Sequence, residues 1–239
     1  AADIGTLAAM GRTEVEVFAS PVIGIISTGD ELVPPEADLK PGQIRDVNTP
    51  MLSAAVQHLG AKVIKTQIIP DRYDLLQQTI KDLLPEVDLL LVSGGTSVGE
   101  RDNLPLILEE LGQIFVHGIA IKPGKPTIVG EIEGKPVFGL PGNPVAAFFM
   151  FTVLVKTLIF NLNASKFDQP TFEASLTRAV SSNHGREEVI LVRLETDLAD
   201  PVPSKSGLIS SVSRANGYIL VGRDQEGLPK GAAVSVYLL

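Results

Sequence analysis

Apolar residues in the first two-thirds of the chain fall into short continuous runs divided by stretches of helical spacing. Val22–Ser27 is such a run behind Pro21 and reads as a buried strand. A polar, proline-rich segment, 28–50, follows, and then Met51, Leu52, Ala55, Val56 and Leu59 repeat at helical spacing. Asn48 or Thr49 is placed to cap that helix, Pro50 suits its first turn, and Gly60 stops it. Residues 62–69 alternate as a strand. Asp71 is a candidate cap for a helix over 73–84 that Pro85 closes. Residues 87–92, VDLLLV, form another buried strand running into Ser93-Gly94-Gly95. A helix over 104–111, an extended stretch over 114–121 and a strand ending at Val137-Phe138 complete the alternation. Residues 145–160, VAAFFMFTVLVKTLIF, are too short to span a bilayer comfortably and carry Lys156, so they read as a buried helix.

From about residue 166 the texture changes. Short apolar runs at 172–180, 188–195, 208–212, 218–222 and 233–238 are separated by Asn-His-Gly-Arg, Asp-Pro-Val-Pro, Ala-Asn-Gly and Pro-Lys-Gly, the pattern of a small β-barrel or sandwich. Residues 1–19 have two turns of helical spacing at most and read as an arm left over from a preceding region. The expectation is an α/β domain over 20–165 and an all-β domain over 166–239. Alternating strands and helices imply parallel pairing with right-handed crossovers, and ligands then bind beyond the carboxyl ends of the strands. Ser27, Pro70 and Ser93 each close a predicted strand, so their loops share that edge.

Composition sharpens this picture by exclusion. The chain has no cysteine, so disulfides and thiolate chemistry are out, and its three histidines are far apart in sequence. Its net charge of −8 gives nucleic acid no basic surface to bind, so an anionic ligand needs a local cationic site. The first residues lack the basic start and apolar core of a signal peptide, and with no disulfides the cytoplasm is the expected compartment.

Five stretches carry candidate chemistry. Ser27-Thr28-Gly29-Asp30-Glu31-Leu32 ends a strand in hydroxyls, a glycine and two carboxylates. Gly42-Gln43-Ile44-Arg45-Asp46-Val47-Asn48 leads into a helix, and Asn48 is either its cap or a ligand-facing amide. Ser93-Gly94-Gly95-Thr96-Ser97-Val98-Gly99-Glu100-Arg101-Asp102 combines close-approach glycines, hydroxyl donors and an approaching helix N-terminus, all suited to an anion. No Gly-Lys-Ser/Thr follows, so it is not a P-loop, and no dinucleotide fingerprint follows the first strand. Asp102, with Glu31 or Asp71, is a candidate holder of hydrated Mg²⁺. Lys122-Pro123-Gly124-Lys125-Pro126 presents two ammonium groups on a stiff turn, a candidate anion clamp. Gly139-Leu140-Pro141-Gly142-Asn143-Pro144 ends a strand and opens the apolar helix, with Pro144 at or near its first position.

Taken together and in this order, STGDEL, GQIRDVN, SGGTSVGERD, KPGKP and GLPGNPVA resemble the MoeA family, the molybdopterin molybdenumtransferases, along the whole of residues 1–239. The gephyrin E domain is of this kind. The resemblance implies an α/β domain similar to the adenylyltransferase MogA, with a mostly parallel sheet and flanking helices, followed by the family's small β-domain. It implies insertion of molybdate into adenylylated molybdopterin with release of AMP, assisted by Mg²⁺. Thr28, Gly29, Asp30, Asp46, Asn48, Ser93, Gly94, Gly95, Thr96 and Ser97 would then cradle the pterin and pyrophosphate. Glu31, Asp71 and Asp102 would hold Mg²⁺ (Asp102 and Glu31 as its ligands) or steer the phosphate chemistry. Lys122 and Lys125 would attract molybdate or phosphate, and Pro141, Gly142, Asn143 and Pro144 would shape the molybdate side. The family's full chain has N-terminal segments ahead of the position of residue 1, which build a further domain and a homodimer interface, so this chain is expected to be an N-terminally truncated piece. A MogA-like adenylyltransferase and molybdoenzymes or their chaperones are the implied partners, with no membrane and no nucleic acid. The competing readings are a MogA-type adenylyltransferase, a CinA-like nucleotide-processing protein, and a non-enzymatic scaffold like that served by gephyrin's E domain.

Overall fold

The computed structural model describes residues 1–65, 68–94, 103–165, 169–204 and 207–239. After an N-terminal helix α1 (Ala2–Ala9) the chain runs β1 (Val22–Ser27), β2 (Leu32–Val33), β3 (Ile44–Arg45), α2 (Asn48–His58), β4 (Lys62–Lys65), α3 (Tyr73–Leu83), β5 (Leu89–Ser93), α4 (Asn103–Leu111), β6 (Gly112–His117), β7 (Ile121–Lys122), β8 (Ile128–Ile132) and β9 (Lys135–Leu140). The main sheet has the order β4-β1-β5-β9-β8-β6. β4, β1, β5 and β9 are parallel, as the alternation of strand and helix requires, while β8 and β6 add an antiparallel hairpin at the edge. Parallel strands are covered on both faces, and here α2 and the apolar helix lie over one side, α3 and α4 over the other.

That apolar helix is continuous from Pro144 to Leu162, as α5 (Pro144–Met150), a π-turn over Phe151–Val155 and α6 (Lys156–Leu162). It is long and apolar enough to cross a membrane by length and composition, yet Val145, Ala147, Phe149, Met150, Val155 and Ile159 are buried against the sheet and the second domain. Burial of Lys156 in this setting lowers its ammonium pKa, because the charged form loses water.

The remainder is β10 (Thr171–Leu176), β11 (Val180–Ser181), β12 (Glu187–Glu195), β13 (Leu198–Pro201), β14 (Gly217–Val221), β15 (Gly227–Leu228) and β16 (Ala233–Leu238). β13 pairs with both β12 and β10, which closes β10-β16-β14-β12-β13 into a small barrel around Leu176, Val192, Ala199, Ile219 and Val236. β7 leaves the first domain and pairs in parallel with β12 of the barrel. The largest hydrophobic cluster accordingly runs through both parts: Phe149 meets Tyr218 edge-on at 5.7 Å, and Tyr218 stacks on Tyr237 at 5.1 Å. Burial there raises the Tyr218 phenol pKa.

Several expectations are corrected. The stretch at 208–212 is a 3₁₀ helix, Ile209–Arg214, because Ser211 and Ser213 hydroxyls donate to the Leu208 and Ser210 carbonyls and favour tight turns over a ladder. Asp-Pro-Val-Pro reads as a turn, but its first half is the end of β13, with Pro201 at the strand's last position. The stretch at 114–121 is broken at Gly118, whose φ of +86° turns the chain from one sheet to the other. Of the strand expected over 62–69, β4 covers Lys62–Lys65, residues 66 and 67 lie outside the described residues, and Ile69 forms a single bridge to Thr28. Asp71 does not cap α3: the cap position is Arg72, and no side chain among the described residues serves it. In the arm, α1 buries nothing, and Val17 and Phe18 are exposed.

Candidate functional site

The parallel register brings the expected residues to one edge. β1 ends at Ser27, β5 at Ser93 and β9 at Leu140, and these three are cross-strand neighbours. Beyond them the backbone stays paired. Thr28 N–H donates to the Ser93 carbonyl (2.9 Å), Gly29 N–H to Ile69 (3.2 Å), and Gly94 N–H to Leu140 (3.2 Å). β8 starts at this same edge, since Ile128 pairs with Gly139 and with His117, so the loop carrying Lys122 and Lys125 emerges beside Leu140.

Asn48 is the cross-brace of this edge. It opens α2 behind the cap position Val47, and the first amides are served by Asp46 instead, its Oδ1 accepting from the N–H of Asn48 (3.0 Å) and of Thr49 (3.1 Å). That frees the Asn48 amide to donate to Ser93 Oγ (2.7 Å) and to the Gly142 carbonyl (2.8 Å), so one buried side chain ties α2, the end of β5 and the Pro141–Pro144 loop. Ser27 and Thr49 hydroxyls share a further bond of 2.7 Å. Asn48 Oδ1 and Thr28 Oγ1 are buried and make no hydrogen bond among the described residues. Gly94 is required here. Its φ is +94°, and a β-carbon on it would lie 2.3 Å from the Thr28 carbonyl oxygen.

The acids form a second group. Asp30 Oδ1 accepts the Asp71 N–H (3.1 Å), and Asp71 Oδ1 accepts from the Asn103 amide (3.1 Å) at the head of α4. The ends of α3 and α4 behind them are joined by Tyr73 O–H donating to Glu110, which holds Glu110 below the usual carboxylate range and Tyr73 above the usual phenol. Glu31 is exposed, with its carboxylate turned back toward Gly29. Asp30 and Asp71 are thus linked through one backbone N–H, and both carboxylates are oxygen donors of the kind a hydrated Mg²⁺ takes. Among the described residues no three acid, histidine or cysteine side chains cluster for an all-protein metal cage. Gly95, Thr96, Ser97 and Asp102 lie outside the described residues.

A cleft of about 780 Å³ opens beside this edge, lined among others by Gly29, Asp30, Pro34, Asp46, Thr49 and Pro70. Arg45 shapes its far wall by donating to the carbonyls of Pro35 (2.7 Å) and Ala37 (3.1 Å). Lys122 and Lys125, equivalent in spacing, differ in their surroundings. Lys122 Nζ forms an ion pair with Glu188 of the barrel at 2.9 Å, whereas Lys125 is exposed and has no ion pair among the described residues. Pro144 takes the first helical position as expected, with Asn143 exposed at the cap and Pro141 buried.

Asn103 and Glu188 escape the sequence reading, and Arg45 stands there only within GQIRDVN, with no role of its own. Asn103 stands next to Asp102 at a predicted helix start and was within reach of it. Glu188 has no local signal, because its partner lies 66 residues away across a domain junction.

An open α/β sheet with ligand loops at its carboxyl edge, joined to a small barrel, defines a class of substrate-binding α/β proteins carrying a β-domain. Residues 24–161 match the family described as a probable molybdopterin binding domain, and residues 173–239 match the MoeA C-terminal region (domain IV). The chain belongs to the MoeA family. It is 37% identical over 244 residues to a putative molybdopterin biosynthesis protein of Methanocaldococcus jannaschii, covering 99% of this chain and 59% of that protein. It is 33% identical over 241 residues to the molybdopterin molybdenumtransferase of Bacillus subtilis, covering 98% of this chain and 56% of that one. The crystal structure of the molybdopterin biosynthesis MoeA protein from Pyrococcus horikosii superposes with a TM-score of 0.89 at 39% identity, over 98% of this chain and 58% of that chain. The chain thus spans less than two-thirds of the length of these relatives.

Proposed function

We propose that this chain supplies the adenylyl-molybdopterin-binding part of a molybdopterin molybdenumtransferase, which inserts molybdate into the pterin dithiolene and releases AMP. The observation that carries this reading is the bracing of one sheet edge by Asn48, which joins the GQIRDVN, SGGTS and GLPGNP stretches at a single point. Thr28, Gly29 and Gly94 bring backbone close to where a pterin and its pyrophosphate would lie. The oxygens of Thr28 and Asn48 that have no partner among the described residues are available to read polar ligand atoms. The 122–126 turn offers cationic charge to an oxyanion in a chain of net charge −8.

Asp30 and Asp71, with Glu31 and Asp102, would hold Mg²⁺. Its bound charge would offset the negative charge that develops as the phosphoric anhydride breaks. The sulfur ligands for molybdenum come from the substrate, consistent with a chain that has no cysteine. In the whole protein we further propose a cytoplasmic homodimer, supplied by a MogA-like adenylyltransferase and serving molybdoenzymes or their chaperones.

The test offers the full-length protein adenylyl-molybdopterin with molybdate and Mg²⁺ on one side, and molybdopterin with ATP on the other. AMP release and reconstitution of an apo-molybdoenzyme are read in the first arm, and pyrophosphate release with formation of adenylyl-molybdopterin in the second. Turnover in the first arm supports the proposal. Turnover only in the second overturns it in favour of adenylyl transfer, and pterin-independent capture of a protein partner overturns it in favour of a scaffold.

A further inference from the structure

The anion loop is held by the second domain as well as by its own sheet. β7 is that loop's first strand, and it pairs with β12 so that Ile121 faces Glu187 and Lys122 faces Glu188. Glu187 N–H donates to the Ala120 carbonyl (2.9 Å). The Glu188 side chain is only 16% exposed, and both its oxygens are engaged: Oε1 with Lys122 Nζ (2.9 Å), Oε2 with Ser182 Oγ (2.9 Å). On the other side the loop is fixed by Thr127, fully buried, whose Oγ1 donates to the Gly124 carbonyl (2.7 Å), and by Ile119 N–H donating to the Lys125 carbonyl (2.9 Å). Gly124 sits so close to Met150 that a β-carbon would lie 2.4 Å from its sulfur. The backbone is thus fixed at 119, 120, 124, 125 and 127, and of its two lysines one is neutralised by a mostly buried carboxylate.

We propose that Glu188 is a positioning residue for the site. It fastens Lys122 as a strut between barrel and loop, and thereby leaves Lys125 as the cation presented to an incoming oxyanion. This rests on the reading of the 122–126 turn as the molybdate side. Lys122 lies in β7 itself, so releasing its side chain from Glu188 loosens the strand that opens the turn. A partly buried carboxylate left without its ammonium would likewise destabilise the seam.

The experiment uses the full-length protein with Glu188→Gln, Lys122→Gln, the double variant, Lys125→Gln and the charge swap Lys122→Glu/Glu188→Lys. Two readouts are taken: hydrogen exchange at the amides of Gly118, Ile119 and Thr127, and molybdate binding by titration calorimetry. The expected result is that Glu188→Gln and Lys122→Gln each weaken molybdate by about tenfold, with faster loop exchange, and that the double variant is no worse than either. The swap should restore loop protection. Lys125→Gln should weaken molybdate while leaving exchange unchanged. Two results would overturn the proposal: a Lys122→Gln loss far exceeding that of Glu188→Gln with additive effects, which makes Lys122 itself the anion contact, or unchanged loop exchange in Glu188→Gln. Should wild type fail to bind molybdate, the functional reading falls while the exchange data still decide the role of Glu188.

Discussion

Replacing Asn48 tests whether one amide holds the candidate site together. Asn48→Ala deletes the two donors that reach Ser93 Oγ and the Gly142 carbonyl, and leaves Ser93, only 2% exposed, without that donor. Each buried hydrogen bond contributes about 0.5–1.5 kcal/mol, and a stranded buried acceptor costs about 1–3, so the variant should lose about 2–4 kcal/mol. For a chain of this size that is a fall in Tm of about 5–12 °C. Asn48→Asp is the sharper variant, because it keeps the shape and puts an oxygen where Nδ2 faced the Gly142 carbonyl. Burial beside a carbonyl penalises the ionised form, so the folded pKa of the new carboxyl should lie above its unfolded value of about 3.9. Stability of this variant should then be lost as pH rises from the unfolded toward the folded pKa, making its deficit larger at pH 8 than at pH 3. With no tryptophan in the chain, scanning calorimetry at the two pH values is the suitable assay. An Asn48→Ala Tm within a degree of wild type, or an Asn48→Asp deficit that ignores pH, would refute the assigned brace.

Three further outcomes follow from the same geometry. Gly94→Ala should fold poorly, since the left-handed backbone costs a non-glycine residue about 1–2 kcal/mol even before the 2.3 Å approach to the Thr28 carbonyl is relieved; a wild-type melting curve would contradict this. Asp46→Ala should lose about 1–2 kcal/mol by uncapping α2, read as an earlier far-ultraviolet circular dichroism transition, and an unchanged transition would transfer the cap elsewhere. The Thr177 hydroxyl, then the Arg178 guanidinium, hold the Asp200 carboxyl below its usual range, so its contribution is present above the unfolded pKa and is lost as pH falls through the folded one. Asp200→Asn should therefore flatten the acid side of the stability profile, and an identical acid limb would sink that assignment.

Much of the α/β part was legible because it depends on local signals. Buried runs such as 22–27 and 87–92 are short enough to read as strands covered on both faces, and parallel pairing then brings Thr28, Ser93 and Pro141 to a common edge. What stayed hidden depends on distant partners. Whether Asn48 caps its helix or reaches across the site turns on Asp46 taking the cap, a competition between two residues that each suit the role. The two lysines of KPGKP look equivalent in sequence and differ in the fold only because Glu188 stands opposite one of them. β8 was missed because its Ile-Val-Gly-Glu-Ile run carries a glycine, which the ladder accepts since a side chain there would meet the Gln113 carbonyl at 2.5 Å.

The strand β7 has a consequence for how the molecule comes apart. Because it sits in the first domain's sequence but is hydrogen-bonded to the barrel, and because Phe149 and Tyr218 share one cluster, neither half has a finished surface of its own. Cutting near residue 165 would bare an aromatic seam and an unsatisfied strand edge on both pieces, a recipe for aggregation. The two family-matched regions are thus separate as units of descent but joined as a unit of folding, so heating should give a single endotherm.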